Sequence, residues 1–396
     1  MTGTLLVFVE DPGAANAVVG LPARLEARGV HVRIVVAGAA AAFVAARGQA
    51  CEALEEGGTA ASLLARTKPQ AVFVGTAENP DTVGLAIIDE ARRLGLPSAS
   101  FVDAVSCAEH RFRGRAKDPL AHCPDHVLVC DAETEAAFVT LGVPPERVQV
   151  AGHPQFDAIL ARAAELATEN LGALRRRVLP AGLLGSGQER ARRVIVFCGE
   201  RSTGGFDDAA FDAQFRRSAD YTLYGRGTRA TRTEIVAEEL LDAVNALPER
   251  PILVLRFHPK NVPADFGALF DEFDAVSAGG SALDLLYASD LVVGMSSMVL
   301  LEASLLGRPT LSIVARPLER EWLPAVARVA TPCVETRRAL RQFVDAWWQS
   351  PVSRDKPSTL AHAGAMDRLA FFLARLVRGP ATVTERGSLY GGPGER

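Results

Sequence analysis

Short, near-continuous apolar runs alternate along this chain with stretches whose apolar residues recur every three or four positions. The runs are "TLLVFVE" (4–10), "VHVRIVVAG" (30–38), "AVFVGT" (71–76), "SASFVDAV" (98–105), "HVLVC" (126–130) and "VQVAG" (148–152). Runs without polar alternation predict strands buried on both faces, as in a parallel sheet with helices on either side. The intervening patterns predict helices over 14–28, 81–94 and 132–141, closed by Gly29, Gly95 and Gly142.

The alternation lapses over 175–193, a basic, glycine-containing stretch. It resumes with "VIVFCGE" (194–200), a helix near 232–246, "ILVLRFHP" (252–259), a helix near 281–288, "LVVGM" (291–295) and "TLSIV" (310–314). Helices near 337–348 and 359–377 follow, then a tail without periodicity, expected to be disordered. The reading is α/β, with two doubly wound, Rossmann-like domains facing a cleft. Residues 1–170 form the first domain, 171–193 a linker, 194–377 the second domain and 378–396 the tail.

Composition narrows the function. The 396 residues are 48% hydrophobic and 23% charged, with a net charge of −4. That excludes a general nucleic-acid or membrane-surface binder. No apolar run reaches the roughly 18 residues of a membrane helix. The N-terminus enters a strand with no basic leader, so a cytoplasmic location is expected. The six cysteines form no C-x-x-C pair and are expected to be reduced. "AHCPDHVLVC" gathers His122, Cys123, His126 and Cys130. In a strand, however, His126 and Cys130 stand about 13 Å apart, too far to share one ion. Neither a metal nor a cofactor is expected.

In doubly wound sheets ligands bind beyond the carboxyl ends of the strands. The loops there are "EDPGAAN", "GTAENPD", "DAVSCAEHRFRG", "GERSTGG", "FHPKN" and "GMSSM". The last opens an apolar helix that contains a single acid, Glu302. Its first N–H groups and dipole suit a diphosphate. Ser296 or Ser297 caps the helix or bonds a phosphate oxygen. Glu302 lies about 7.5 Å further along the axis, the reach from a diphosphate to its ribose. A capped helix whose glutamate faces solvent or pairs with an arginine reads equally well. His258 ends a strand and suits a phosphate oxygen or a backbone bond. Arg201 and Ser202 suit a phosphate or an ordinary exposed loop. "YGRGTRATR" (224–232) is either an anion clamp or, preferably, a solvated loop.

In the first half, Gly13 admits a ligand close to the backbone, and Asp11 is a general base or a turn former. Asn16 is a positioning group. Asp103, Glu109 and His110 belong to a loop whose acid and imidazole suit an acceptor site.

"LDLLYASDLVVGMSSMVLLEASLLGRPTLSI" resembles the nucleotide-binding end of GT-B glycosyltransferases and UDP-N-acetylglucosamine 2-epimerases. "VFVGTAENPDTVGLAIIDEARRLGLPSASFVDAV" and "LRFHPKN" resemble further epimerase segments. "VAGHPQFDAI" carries a Gly-x-Pro-x-x-Asp element similar to that of glycerophosphotransferases and capsule-type enzymes. The resemblance spans most of the chain. It implies a GT-B fold with C-terminal helices packing back, Glu302 on the ribose, and Ser296, Ser297 and Met298 along the diphosphate.

The chain departs from the epimerase pattern where Gly75-Thr76 replaces Gly-Asp, with an acid, Glu78, displaced, although Asp103 matches the next acid. C2 epimerisation needs a base and an acid across the ring. The favoured expectation is therefore a metal-independent glycosyltransferase moving a sugar from a nucleotide donor, expected to be a UDP-sugar, to a small-molecule or glycan acceptor. Asp11, ranked just above Asp103, or His110 would be the base. A sugar-nucleotide epimerase or hydrolase and a catalytically inactive binder remain alternatives, and a homodimer stays open.

Overall fold

The computed structural model describes residues 3–77, 79–103, 108–184, 192–200, 216–258, 261, 263, 266–323, 325–351 and 363–379. Glu78, Arg201, Ser202 and the expected disordered tail beyond Gly379 lie outside them.

The chain divides into two compact units: Met1–Asp157 with His362–Arg396, and Ala158–Ala361. In the first, β1 (Gly3–Val9), β2 (Val30–Val36), β3 (Glu52–Ala53), β4 (Ala71–Gly75), β5 (Ser98–Val102), β6 (His126–Val129) and β7 (Val148–Val150) build one sheet. Their order is β3-β2-β1-β4-β5-β6-β7, and every pairing is parallel. All residues of β4 and β5 are buried, as their apolar runs predict.

Helices cover both faces. The expected helix over 14–28 is two short ones, Pro12–Asn16 and Leu21–Glu26. Gly20 separates them with φ +82°, a left-handed conformation that suits glycine, and proline then sits in the first turn of the second.

In the second unit, β8 (Val194–Cys198), β9 (Ile252–Arg256), β10 (Ala275–Ser277), β11 (Leu291–Gly294), β12 (Thr310–Ile313) and β13 (Cys333–Val334) are ordered β10-β9-β8-β11-β12-β13. All are parallel. Both units are thus doubly wound. Strand order reverses between β1 and β4 in one and between β8 and β11 in the other, the crevices where such sheets take ligands.

Two boundaries differ from the sequence reading. The expected linker begins with a helix, Leu171–Val178, capped by Asn170. Its basic run is not simply solvated. Arg175 bonds Asp290 at 2.6 Å and the Ala288 carbonyl at 2.9 Å, and Arg177 bonds Asp284 at 2.9 Å. The last helix, Ala365–Arg378, falls inside the 194–377 bounds of the second domain, but it packs back, as the resemblance implies, with Leu369, Leu373 and Val377 in the core of the first unit. Asp157, the acid of the Gly-x-Pro-x-x-Asp element, accepts from the N–H groups of Gly364 (2.7 Å) and Met366 (3.0 Å). That acid therefore fastens the start of the returning helix, whose first N–H groups lack helical partners.

Candidate functional site

The "GMSSM" turn lies at the switch point of the second sheet. β11 ends at Gly294, and Ser297, extended, caps the Met298–Leu305 helix by accepting from Val299 N–H at 3.3 Å. Ser312 of β12 donates to the Met295 carbonyl at 2.6 Å and anchors the turn from behind. Within the helix Leu300, Leu301, Ala303 and Leu305 are buried. Glu302 is buried with them, 9% exposed, rather than facing solvent.

Across the switch point stands Glu200, just past β8. Its Oε1 accepts from the N–H groups of Ser296 (2.7 Å) and Met295 (3.2 Å), and its Oε2 from the Ser296 hydroxyl (3.0 Å). Arg232 Nη1 donates to the same Oε2 at 3.0 Å, and Nη2 donates to Ser296 Oγ at 3.0 Å. Arg232 is 2% exposed; its Nε faces Glu319 at 3.2 Å, and Glu319 in turn pairs with Arg316 at 3.1 Å. Trp322 lies against both guanidinium groups, 5.1 and 5.3 Å from its ring centre. Burial opposes the charge on Arg232, yet Glu200 and Glu319 outweigh it and hold its pKa above the usual range.

The strand end of β9 joins this cluster. His258 N–H donates to Asn261 Oδ1 at 2.9 Å, and Asn261 Nδ2 donates to the Glu200 carbonyl at 3.4 Å. His258, Ser296, Ser297, Met298 and Glu302 thus stand on loops or the helix that leave the carboxyl ends of β9 and β11.

The preferred solvated-loop reading of 224–232 holds for Arg226, which is exposed and binds Asp242 at 2.8 Å and Glu272 at 2.6 Å, while Arg229, partly buried, binds Glu238 at 3.1 Å. Arg232, read as part of that loop, is in the interior. Its acids, Glu200 and Glu319, come from two distant segments, so no local pattern marks it.

In the first unit Asp103 follows β5. Its carboxylate lies over the first loop so closely that a methyl group on Gly13 would collide with Oδ2. Arg111 Nη1 faces Asp103 Oδ1 at 3.5 Å, and among the described residues that buried oxygen has no hydrogen-bond partner. Gly13 and Asp103, 90 residues apart in sequence, are therefore brought together. Asp11 sits at the N-cap of the Pro12–Asn16 helix without capping it, and Asn16, partly buried, ends that helix. Glu109 and His110 lie on a short turn, Ala108–His110, and face each other at 3.5 Å, well exposed. Thr76, where the epimerase pattern has an acid, donates its hydroxyl to the Phe101 carbonyl at 3.0 Å.

His153 completes this end of the sheet and was not singled out from sequence. It is 2% exposed, stacked on Phe156 and edge-on to Phe101. Burial pushes its pKa down to about 4, against the pull of Asp103 and Asp131. It is a neutral imidazole at physiological pH. Its Nδ1 accepts from Gln155 N–H at 3.3 Å, which leaves the proton on Nε2.

The cysteine–histidine cluster is dispersed. His122 pairs with Asp89 at 2.6 Å, His126 packs against Phe372, and burial raises the Cys123 pKa to about 11 and that of Cys130 beyond it. Among the described residues no group of three or more His, Cys, Asp or Glu side chains is placed to hold a metal ion. Nor is any described helix long and apolar enough to cross a membrane.

Solved structures share this architecture over nearly the whole chain. The UDP-GlcNAc 2-epimerase of Methanocaldococcus jannaschii aligns with 93% of this chain and 99% of its own, at TM-score 0.61 and 16% identity. That of Neisseria meningitidis, bound to UDP-GlcNAc, aligns with 93% and 99% at TM-score 0.59 and 13% identity. Anabaena Alr3699/HepE in complex with UDP-glucose aligns with 95% and 98% at TM-score 0.58 and 12% identity. The chain has the GT-B fold. No protein-family model and no curated protein matches it. At these identities the likeness speaks for the GT-B architecture alone.

Proposed function

We propose that this chain is a GT-B enzyme acting on a nucleotide-activated sugar, with a UDP-sugar as donor, and that it transfers the sugar to an acceptor. The observation that carries the reading is Glu302, a buried carboxylate one and a half turns into a helix that starts at a strand-end serine turn. A carboxylate there accepts from two ribose hydroxyls while the N–H groups of Ser297 and Met298 face a phosphate. His258 and Met298 flank that phosphate. In the first unit Asp103 is the acid–base group, held by Arg111, with Gly13 leaving room beside it. Asp11, Asn16, Glu109 and His110 line the acceptor.

Transfer is favoured over epimerisation because Thr76 replaces the family's acid and spends its hydroxyl on a backbone carbonyl. Abstraction and return of a proton on opposite faces needs a second group. Epimerisation or hydrolysis is the second reading, supported by near-complete structural overlap with 2-epimerases.

The donor site is tested by calorimetry with UDP and UDP-N-acetylglucosamine. Glu302→Ala is expected to weaken both by about 1.5–3 kcal/mol, the worth of hydrogen bonds to a charged group. Circular dichroism checks that the variant is folded. Equal affinity of a folded Glu302→Ala variant and the wild type would remove Glu302 from the ribose.

A further inference from the structure

We infer that Glu200 is a resident anion in the phosphate-facing turn and favours release of the nucleoside diphosphate product over loss of the nucleotide-sugar donor. The inference rests on the proposed donor site and adds how that site distinguishes its two ligands. Glu200 Oε1 occupies two backbone N–H groups at the switch point, those of Met295 and Ser296, which a phosphate would otherwise use. The Ser296 hydroxyl is committed as well, donating to Glu200 and accepting from Arg232. A phosphate is left with the N–H groups of Ser297 and Met298, since those of Val299 and Leu300 bond Ser297.

Glu200 is not easily displaced. Its partner Arg232 is itself buried and shared with Glu319, and Arg316 balances Glu319. The quartet of Glu200, Glu319, Arg232 and Arg316 is neutral, so it offers an incoming phosphate no net positive charge. Withdrawing Glu200 would leave buried charges unmatched, a costly change.

The two ligands differ in charge at this place. The diphosphate of a nucleotide-sugar is a diester with two negative charges. Once the sugar leaves, the terminal phosphate gains a third, with a pKa of about 6. A carboxylate fixed beside it repels the product more than the donor. Product inhibition is thereby reduced without weakening the donor's ribose contacts.

The test is calorimetry with UDP and UDP-N-acetylglucosamine on wild type, Glu200→Gln and Glu200→Asp. Glutamine keeps an acceptor for the turn and removes the charge; aspartate keeps the charge. Glu200→Gln is expected to tighten UDP about tenfold and the nucleotide-sugar by no more than about threefold, whereas Glu200→Asp keeps the wild-type ratio. An unchanged ratio in Glu200→Gln, or equal loss of both ligands, overturns the inference.

A measurement on the wild type alone covers the case in which Glu200→Gln does not fold. Between pH 7.5 and 5.5 UDP gains its last phosphate proton and the nucleotide-sugar does not. Repulsion by Glu200 predicts that UDP tightens relative to the nucleotide-sugar as pH falls. A site without it predicts the reverse. The titratable and charged groups near Glu200 among the described residues, namely Arg232 with Glu319 and Arg316 behind it, and Cys198 with Arg256 and Glu302, act on both ligands, and the nucleotide-sugar serves as their control. Failure of the wild type to bind either ligand overturns the donor site and this inference together. Binding with the wrong pH trend overturns the inference alone.

Discussion

Asp103→Asn is expected to lower kcat by about 10²–10⁴-fold, the usual contribution of a positioned acid–base group. Nucleotide binding is expected to change less than about twofold, because the donor groups belong to the other unit. The substitution is close to isosteric and keeps an oxygen toward Arg111, so the melting temperature is expected to hold. The argument is local. Asp103 packs directly on Gly13, and a buried carboxylate oxygen faces Arg111 at 3.5 Å without a hydrogen bond among the described residues. Such an oxygen is available to take a substrate proton. Asp11→Asn, at a helix N-cap position whose side chain does not cap, is expected to act more mildly. Steady-state kinetics on both variants decides the ranking. A dead Asp11→Asn beside a nearly normal Asp103→Asn would restore the order that sequence alone suggested.

Arg232→Met is expected to destabilise the second unit by about 3–5 kcal/mol, the cost of removing one partner from a buried ion pair. For a unit of this size that lowers the melting temperature by about 6–20 °C. The cost arises from what remains: Glu200, 9% exposed, would lose its cation, and Glu319, 0% exposed, would keep only Arg316. Arg226→Met is the control, since Arg226 is exposed and its partners Asp242 and Glu272 are partly exposed, and surface pairs are worth less than about 1 kcal/mol. Urea unfolding of both variants measures the difference. An Arg232→Met variant within about 1 kcal/mol of wild type would mean that the quartet does not hold the turn.

Much of the fold is legible in the sequence because both sheets are buried on both faces. Strands such as 71–75 and 194–198 then read as unbroken apolar runs, and their order along the chain implies parallel, doubly wound sheets. The short edge strands at 52–53, 275–277 and 333–334 carry too few residues to show any period. The return of the last helix comes from the resemblance rather than from its own pattern. Its apolar stripe announces that it is buried, but not that Asp157, 207 residues earlier, accepts from the N–H of Gly364 at its start.

The serine turn and Glu302 are readable because an acid inside an apolar helix is conspicuous. Glu200 and Arg232 are not, since each is ordinary in its own segment. Their meaning comes only from pairing across 32 residues in sequence. The first-unit cluster is half legible: Asp103 is marked by its loop, while His153 reads as a core residue beside a proline.

The most direct measurement of the central claim is product analysis by phosphorus and proton NMR. The chain is incubated with UDP-N-acetylglucosamine alone, and then with a panel of small-molecule and glycan acceptors. Glycosyl transfer predicts a stable donor in the first case, and UDP formed together with a glycosylated acceptor in the second. Inversion at C2, or free sugar released without an acceptor, would contradict transfer and establish the epimerase or hydrolase chemistry instead.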